Sequence, residues 1–365
     1  MNNYILHKIL KLVQNDIKIM PKIVNNKSKN FWLSLRKPIL ALAPMAGITD
    51  PGYCTICRKN GADVVYTEMI SADGLNYDSK KTHDMLKILK GEKPVVVQLF
   101  GKDPEKFARA TQIVTKLGFS GIDINFGCPA KKVAGHGGGA TLLRDLDLCY
   151  KIIKSVCDNT DLPVSIKVRK SIKAESCKVK KLKVESKKKI ITSLDLIKKI
   201  KDLKVSAIMI HGRTYEQGFA GEIDYNYIKN VRKHFKGIIL ANGNINTPEI
   251  AKKTLELSLA DGLGIARGVY GKPWIFKQIK DYLSTDPSTS SGLNKKYREK
   301  TWTQIKKIAL IHAKLNFEVK GDYGIVELRK HLLFYTKNQN NAKEMRRELV
   351  NVKTISEIKK VFDKY

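Results

Sequence analysis

Short apolar or β-branched runs recur at residues 39–43, 63–67, 95–99, 121–125, 164–168, 206–210, 237–241 and 260–265, and the stretches between them carry charge and apolar residues at helical spacing. Runs of this length bounded by turn residues predict buried strands, and the 3.6-residue spacing predicts helices. Alternating strands and helices require parallel pairing with right-handed crossovers. Eight such units fit an α/β fold closed as a (β/α)8 TIM barrel. No G-x-G-x-x-G fingerprint follows the first run, which removes the main cue for an open doubly wound sheet.

The pattern also sets boundaries. Ahead of the first run, Ile5, Leu6, Ile9, Leu10, Leu12 and Val13 are spaced like a helix stripe in a segment with eight basic residues and one acidic residue. Residues 1–38 therefore read as a basic N-terminal extension outside the core, and the lack of Arg before Arg36 argues against an organellar targeting segment. Residues 173–189 hold eight Lys and two Glu without an apolar face, which predicts a solvated, disordered insertion in the crossover after the fifth strand. Ser, Thr, Pro and Gly crowd residues 284–294 like a linker. Beyond it, residues 300–318 and 323–337 carry helix-spaced apolar positions. The expected division is an extension over 1–38, a barrel over 39–284, and a small C-terminal helical domain over 295–365.

Charge sharpens this organisation. There are 68 basic and 35 acidic residues, a formal charge of +33, which favours polyanionic partners, nucleic acid foremost. Because 56 of the 68 are Lys, a general Lys bias contributes to this figure, and position has to decide. Residues 285–365 hold 18 basic against 9 acidic side chains, so the expected helical domain is itself basic. No run approaches the ~18 uninterrupted apolar residues of a membrane span. Six Cys are few for this length, and Cys54 and Cys57 lack a second pair to complete a zinc set, so a reducing cytoplasmic setting and no metal are expected.

In a (β/α)8 barrel the working groups lie at the C-terminal ends of the strands. Those ends carry Pro44-Met45-Ala46 after the first run, Gln98 in the third, Asn125 with Cys128 after the fourth, Lys167 and Arg169 in the fifth, and His211 after the sixth. The seventh and eighth end in Asn242-Gly243-Asn244 and Ala266-Arg267-Gly268. Glycine-rich turns on these last two strands are where barrels commonly hold phosphate. Lys167 could form a Schiff base or donate to the electron-rich edge of a flavin. Cys128 could serve as proton donor, nucleophile or small buried hydrophobe, and Asn125 as a turn cap.

The segments Ala43–Asp50, Val97–Gly101, Asp123–Val133, Ile166–Arg169, Ile210–Thr214, Ala241–Ile245 and Gly271–Trp274, with Arg329-Lys330-His331 in the tail, resemble the tRNA-dihydrouridine synthases, most closely the bacterial B type. The resemblance implies an FMN-bearing barrel and a helical tRNA-binding domain that together reduce the 5,6 double bond of particular uridines in tRNA, with NADPH or NADH as electron donor. Carried onto the matching positions, Cys128 is the general acid that protonates C5 while FMN delivers hydride to C6. Asn125 and Arg169 are the substrate contacts. The FMN contacts are Pro44, Met45, Ala46, Gln98, Lys167, Asn242, Gly243, Asn244, Ala266 and Arg267, with His211 beside the ring. The glycines at 137–139 suggest a Cys128 loop able to close over a base. A monomer without membrane attachment is expected. The rival from the same fold, a dihydroorotate dehydrogenase-like enzyme acting on a free pyrimidine, gives no use to a basic helical tail. An RNA-binding module without catalysis gives none to Cys128, Lys167 and His211.

Overall fold

Each of the eight runs forms a strand in the computed structural model, which describes residues 30–130, 133, 138–174, 190–284, 297 and 299–365. The strands are β1 (Ile39–Leu42), β2 (Val64–Ser71), β3 (Val95–Phe100), β4 (Gly121–Phe126), β5 (Val164–Arg169), β6 (Val205–His211), β7 (Ile238–Asn242) and β8 (Gly262–Ile265). All neighbours pair in parallel in sequential order, and β1 pairs with β8 to close the barrel. Closure brings the backbones very near: a Cβ on Gly262 would stand 2.1 Å from the Ile39 carbonyl oxygen.

The main crossover helices are α1 (Pro51–Lys59), α2 (Pro104–Thr115), α3 (Leu146–Asp158), α4 (Ser193–Lys199), α5 (Tyr225–Val231), α6 (Pro248–Ser258) and α7 (Ile275–Leu283). Three of them start with one device: Asp50, Asp103 or Thr247 caps free backbone N–H groups, and the Pro that follows needs no such bond. Along β1 the side chains of Ile39 and Ala41 join the inner core while Leu40 and Leu42 join the layer under the helices. The same period-2 alternation places Gln98, Asp123, Asn125, Lys167, His211 and Asn242 on the inner row toward the C-terminal mouth. Strand register makes several of them cross-strand neighbours, including Gln98 with Asp123, Asn125 with Lys167, and His211 with Asn242.

One expected boundary moves. Residues 1–38 were assigned to an extension outside the core, yet Trp32 is 1% exposed and packs with Ile39, Val64, Tyr66, Met209 and Leu240 inside the barrel. Asn30 Nδ2 donates to Ser206 Oγ at 3.2 Å, so this segment plugs the end opposite the mouth. Residues 1–29 lie outside the described residues. So do most of the Lys-rich insertion, residues 175–189, and the linker at 285–296. The insertion leaves and returns through a short antiparallel pair, Ser171–Lys173 with Ile190–Thr192.

The C-terminal region is helical: α8 (Trp302–Lys320), α9 (Asp322–Tyr335), α10 (Ala342–Leu349) and α11 (Ile355–Lys364) surround their own apolar cluster. Helices α8 and α9 fold back on each other at Gly321 and dock on α1. Gly52 allows the approach, since a Cβ there would lie 2.1 Å from Asn316 Oδ1. At the seam Asp50 faces two buried histidines, with His312 Nε2 3.6 Å from Oδ1 and His331 Nε2 3.6 Å from Oδ2. Tyr53 and His312 stack beside them at 5.2 Å, and the Tyr335 hydroxyl lies 3.2 Å from His312 Nδ1.

Burial holds His331 at about 4, and the neighbouring His312 pushes the same way against the pull of Asp50. An unfolded His titrates near ~6.5, so between these values the unfolded chain binds more protons than the folded one. This contribution is complete above the unfolded value and is lost as pH falls through the folded one. The Asp50 carboxyl, kept well below its usual range by its histidine partners despite burial, acts in the same direction at still lower pH. Stability from urea unfolding should therefore drop by up to about 3 kcal/mol between pH 7 and 4 through His331, and His331→Gln should flatten that slope. A wild-type profile level across this range would contradict the seam electrostatics.

Candidate active site

The inner row at the barrel mouth is tied together by a buried chain of hydrogen bonds. Asp123, fully buried on β4, accepts from Ser165 Oγ and from Gln98 Nε2, both at 2.6 Å. Burial pushes its carboxyl up to about 6, against the lowering influence of those donors and of Lys167. Gln98 Oε1 in turn accepts from Asn125 Nδ2 at 2.8 Å. Asn125 Oδ1 accepts from the backbone N–H groups of Gly127 and Cys128 at 3.0 and 2.9 Å, and its second amide hydrogen faces Met69 Sδ at 2.9 Å. All four hydrogen-bonding positions of the Asn125 amide are thus engaged, and the bland expectation of a turn cap describes what it does here.

Cys128 is a free, half-buried thiol carried by that turn. Its carbonyl accepts from Ala140 N at 3.1 Å, and Gly139, at φ +63°, fits against it where a Cβ would stand 2.7 Å from the same oxygen. The intervening residues 131, 132 and 134–137 lie outside the described residues, and with them most of the glycine loop expected to close. Lys167 is half-buried next to Asn125 in register. Its ammonium is brought down to about 8, first by burial and then by Arg169, while Asp123 and Cys128 pull the other way.

His211 ends the next strand, paired in register with Arg169. It is 6% exposed, and burial together with Lys167, Arg169, Arg213 and Arg267 drives its pKa far below the ordinary histidine range, so the ring is neutral. Its Nε2 is buried without a hydrogen-bond partner. Beside it a Cβ on Gly243, whose φ is +129°, would lie 3.0 Å from the ring Cδ2, 3.3 Å from Nε2 and 2.4 Å from Ile223 Cδ1. A vacant ring nitrogen next to backbone with no side chain suits the edge of a planar heterocycle, which is the fit a flavin requires. The loops after β7 and β8 touch as well: a Cβ on Gly268 would stand 2.0 Å from the Ile245 carbonyl oxygen. Asn242, 4% exposed, donates to the Gly264 carbonyl at 2.6 Å, and Asn244 takes φ +56° at this junction. Ala266 is half-buried and Arg267 is exposed. On the first strand's loop, Pro44 and Met45 are half-buried and Ala46 is exposed.

Two residues expected as ligand contacts are also engaged within the protein. Arg169, expected as a substrate contact, is 1% exposed; its Nε donates to the Gly127 carbonyl at 3.0 Å and its Nη1 to those of Thr214 and Gly218 at 2.9 and 2.7 Å. It works as a strut between two mouth loops. Gln98, expected against the flavin, is 0% exposed and belongs to the hydrogen-bond chain. Glu68 on β2 was missed. Its carboxylate accepts from Gly47 N and, pushed up by burial, is drawn back by Lys320 and Lys330 from the tail. Lys330 reaches the first strand's loop, since a Cβ on Gly47 would be 3.2 Å from its Nζ. The only hint in the sequence is a charged residue directly after the apolar second run. Cys54 and Cys57 are fully buried, and Cys54 Sγ lies 3.5 Å from the Thr49 carbonyl and 3.4 Å from that of Tyr66.

Known proteins match this arrangement over nearly its whole length. The family model described as Dihydrouridine synthase (Dus) matches residues 41–364. A protein named tRNA-dihydrouridine synthase B from Vibrio vulnificus is 34% identical over 310 residues, covering 84% of this chain and 89% of that protein. Its namesake from Pseudomonas aeruginosa is 33% identical over 309 residues, covering 84% and 86%. Among solved structures, a 2-naphthoyl-CoA reductase complex aligns with a TM-score of 0.50 at 11% identity, over 73% of this chain and 51% of that one, a likeness of fold alone.

Gly243 offers a direct test of the cradle. The Gly243→Ala protein should keep its far-UV circular dichroism and bind flavin about 5- to 150-fold more weakly, the ratio expected from 1–3 kcal/mol of local strain. Full flavin content in that variant, read from the visible absorbance, would remove Gly243 from the cradle.

Proposed function

The chain belongs to the dihydrouridine synthase family, and on that premise we infer that it is a flavin oxidoreductase that reduces particular uridines of tRNA to 5,6-dihydrouridine. The observation that carries the reading to individual residues is that Cys128 sits on a braced turn after β4, beside Lys167 on the neighbouring β5 and with His211 on β6 next to that. The cofactor proposed is FMN, reduced by NADPH, and the protein is proposed to work as a cytoplasmic monomer. Among the described residues no helix is long and apolar enough to cross a membrane.

A bound flavin supplies the two-electron equivalent that enters the pyrimidine at C6. The protein's own work is to deliver the balancing proton to C5, and the Cys128 thiol is the group proposed to give it. A thiol must be protonated to act so. Asn125 fixes the thiol's position by holding the backbone of its turn. Lys167 is proposed to donate to the electron-rich edge of the flavin and the neutral His211 to meet the same ring through its vacant Nε2. Asn242, Gly243, Asn244, Ala266 and Arg267 would hold the phosphate end, with Pro44, Met45 and Ala46 against the ring. A uridine reaches this site only by leaving its stack, at a cost of a few kcal/mol that is smallest in a tRNA loop. The basic helices from Trp302 onward are proposed to grip the tRNA, and Lys330 extends their charge to the mouth.

The decisive variant is Cys128→Ala. It should retain flavin and tRNA and lose dihydrouridine formation by at least about a hundredfold, the lower range for removal of a general acid. Undiminished turnover, measured as dihydrouridine in a tRNA lacking the modification, would take the acid role from Cys128.

A further inference from the structure

Phe219 is 56% exposed, yet the loop that presents it is fastened on both sides. From within the barrel the buried Arg169 donates through Nη1 to the carbonyls of Thr214 and Gly218. On the other side Arg213, 4% exposed, donates through Nε and Nη2 to the Gly221 carbonyl at 2.9 and 2.7 Å. Inside the loop, Thr214 N donates to Gln217 Oε1 at 2.8 Å and Ala220 N to the Gln217 carbonyl at 2.9 Å. Two guanidinium groups are thus withdrawn from water to hold an aromatic ring in it. More than half of that ring stays open to solvent.

Its surroundings indicate what the ring is for. The Arg267 guanidinium lies 4.5 Å from the ring centroid, that of Arg169 lies at 5.6 Å, and the His211 ring at 6.5 Å. Phe219 therefore stands at the rim of the mouth, next to the side chain with the vacant ring nitrogen. Arg169 also binds the Gly127 carbonyl through Nε, so one guanidinium sets the position of Phe219 relative to the turn that bears Cys128. A flat apolar face with cations around it suits a nucleobase and its backbone phosphate, because stacking on aromatic rings is how unpaired bases are held and every base has a π-face.

We propose that Phe219 is a stacking platform for a nucleobase of the bound tRNA, one left unstacked when the target uridine is drawn into the mouth. The proposal rests on the reading of the chain as a tRNA uridine reductase. By replacing part of the lost stacking, the platform lowers the cost of extruding the base, and through Arg169 it fixes the strand relative to the acid. It is a positioning residue.

The test compares flavin-loaded wild-type enzyme with Phe219→Ala, Phe219→Leu and Phe219→Tyr on unmodified tRNA. Phe219→Ala should lower kcat/KM for tRNA about 5- to 150-fold, the equivalent of 1–3 kcal/mol of base stacking, with flavin content and the rate of flavin reduction by NADPH unchanged. Phe219→Tyr should restore turnover and Phe219→Leu should not. Normal kcat/KM in the Ala variant, or a Leu variant as active as the Tyr variant, would overturn the stacking role. Loss of flavin from the Ala variant would make the ring a cofactor contact and overturn it too. Wild-type enzyme that forms no dihydrouridine would bring down the functional reading beneath it, and the platform with it.

Discussion

Polar side chains buried at the mouth of a barrel destabilise it unless each finds a partner, and the row Ser165, Asp123, Gln98, Asn125 meets that constraint in one continuous chain. The chain starts from a carboxylate fully inside the sheet and ends on the backbone N–H groups of Gly127 and Cys128. Three strands are locked in register by it, and the thiol's position follows from the last link. Truncating Asn125 would leave Gln98 Oε1 and two backbone N–H groups without partners, each a loss of about 1–3 kcal/mol. Position of the thiol and stability of the barrel mouth are therefore one property, which is why a residue that need not touch a ligand can govern what the site does.

Arg169 extends the same economy of parts to the loops. A guanidinium with this little exposure gains nothing from solvent, and it is held by three carbonyls belonging to two different loops. The Cys128 turn after β4 and the aromatic loop after β6 are thereby fixed to one rigid group on β5. The tail is joined by a different device, the Asp50 carboxylate between His312 and His331, and Gly52 makes the close approach possible. Lys330, adjacent in sequence to His331, is brought over the first strand's loop by that docking. The barrel and the helical region are thus coupled at the mouth itself, and the cationic surface of the tail continues into the site.

Much of this was legible in the sequence because it depends on local period. The eight apolar runs are strands within one or two residues at their starts, and period-2 alternation decides which side chains face inward. The C-terminal ends of those runs then named Cys128, Lys167 and His211 without reference to any contact. What was illegible depends on where the chain returns to itself. Trp32 lies in a short segment with no period, and only the open end of the barrel explains its burial. Asp50, His312 and His331 are separated by more than two hundred residues between the first and the others, so no spacing announces them. Asn125 and Arg169 were visible as polar strand ends, but whether such groups face a ligand or the protein's own backbone is settled by geometry. Glu68 was hidden by the β-bulge between Tyr66 and Met69, which breaks the alternation just where it would have pointed inward.

The charges at the mouth complete the physical picture. Lys167 is pushed down by burial and by Arg169, Arg213 by burial and Arg267, and His211 by burial and then by all four cations. Asp123 is the one carboxylate that offsets this within the inner row, and burial already pushes it up to about 6. A cluster of like charges in a partly desolvated cavity is destabilising, and the repulsion is relieved when an anion enters. The neutral histidine follows from burial first and from the same field second, since protonating it would add a fifth positive charge to the group. An anionic cofactor and a polyanionic substrate each neutralise part of this field, so binding of either favours the folded mouth by mass action. The excess of Lys over the whole chain does not account for that local arrangement. It arises from Lys167 and Arg169 on β5, Arg213 after β6 and Arg267 after β8, strand ends that converge on one mouth.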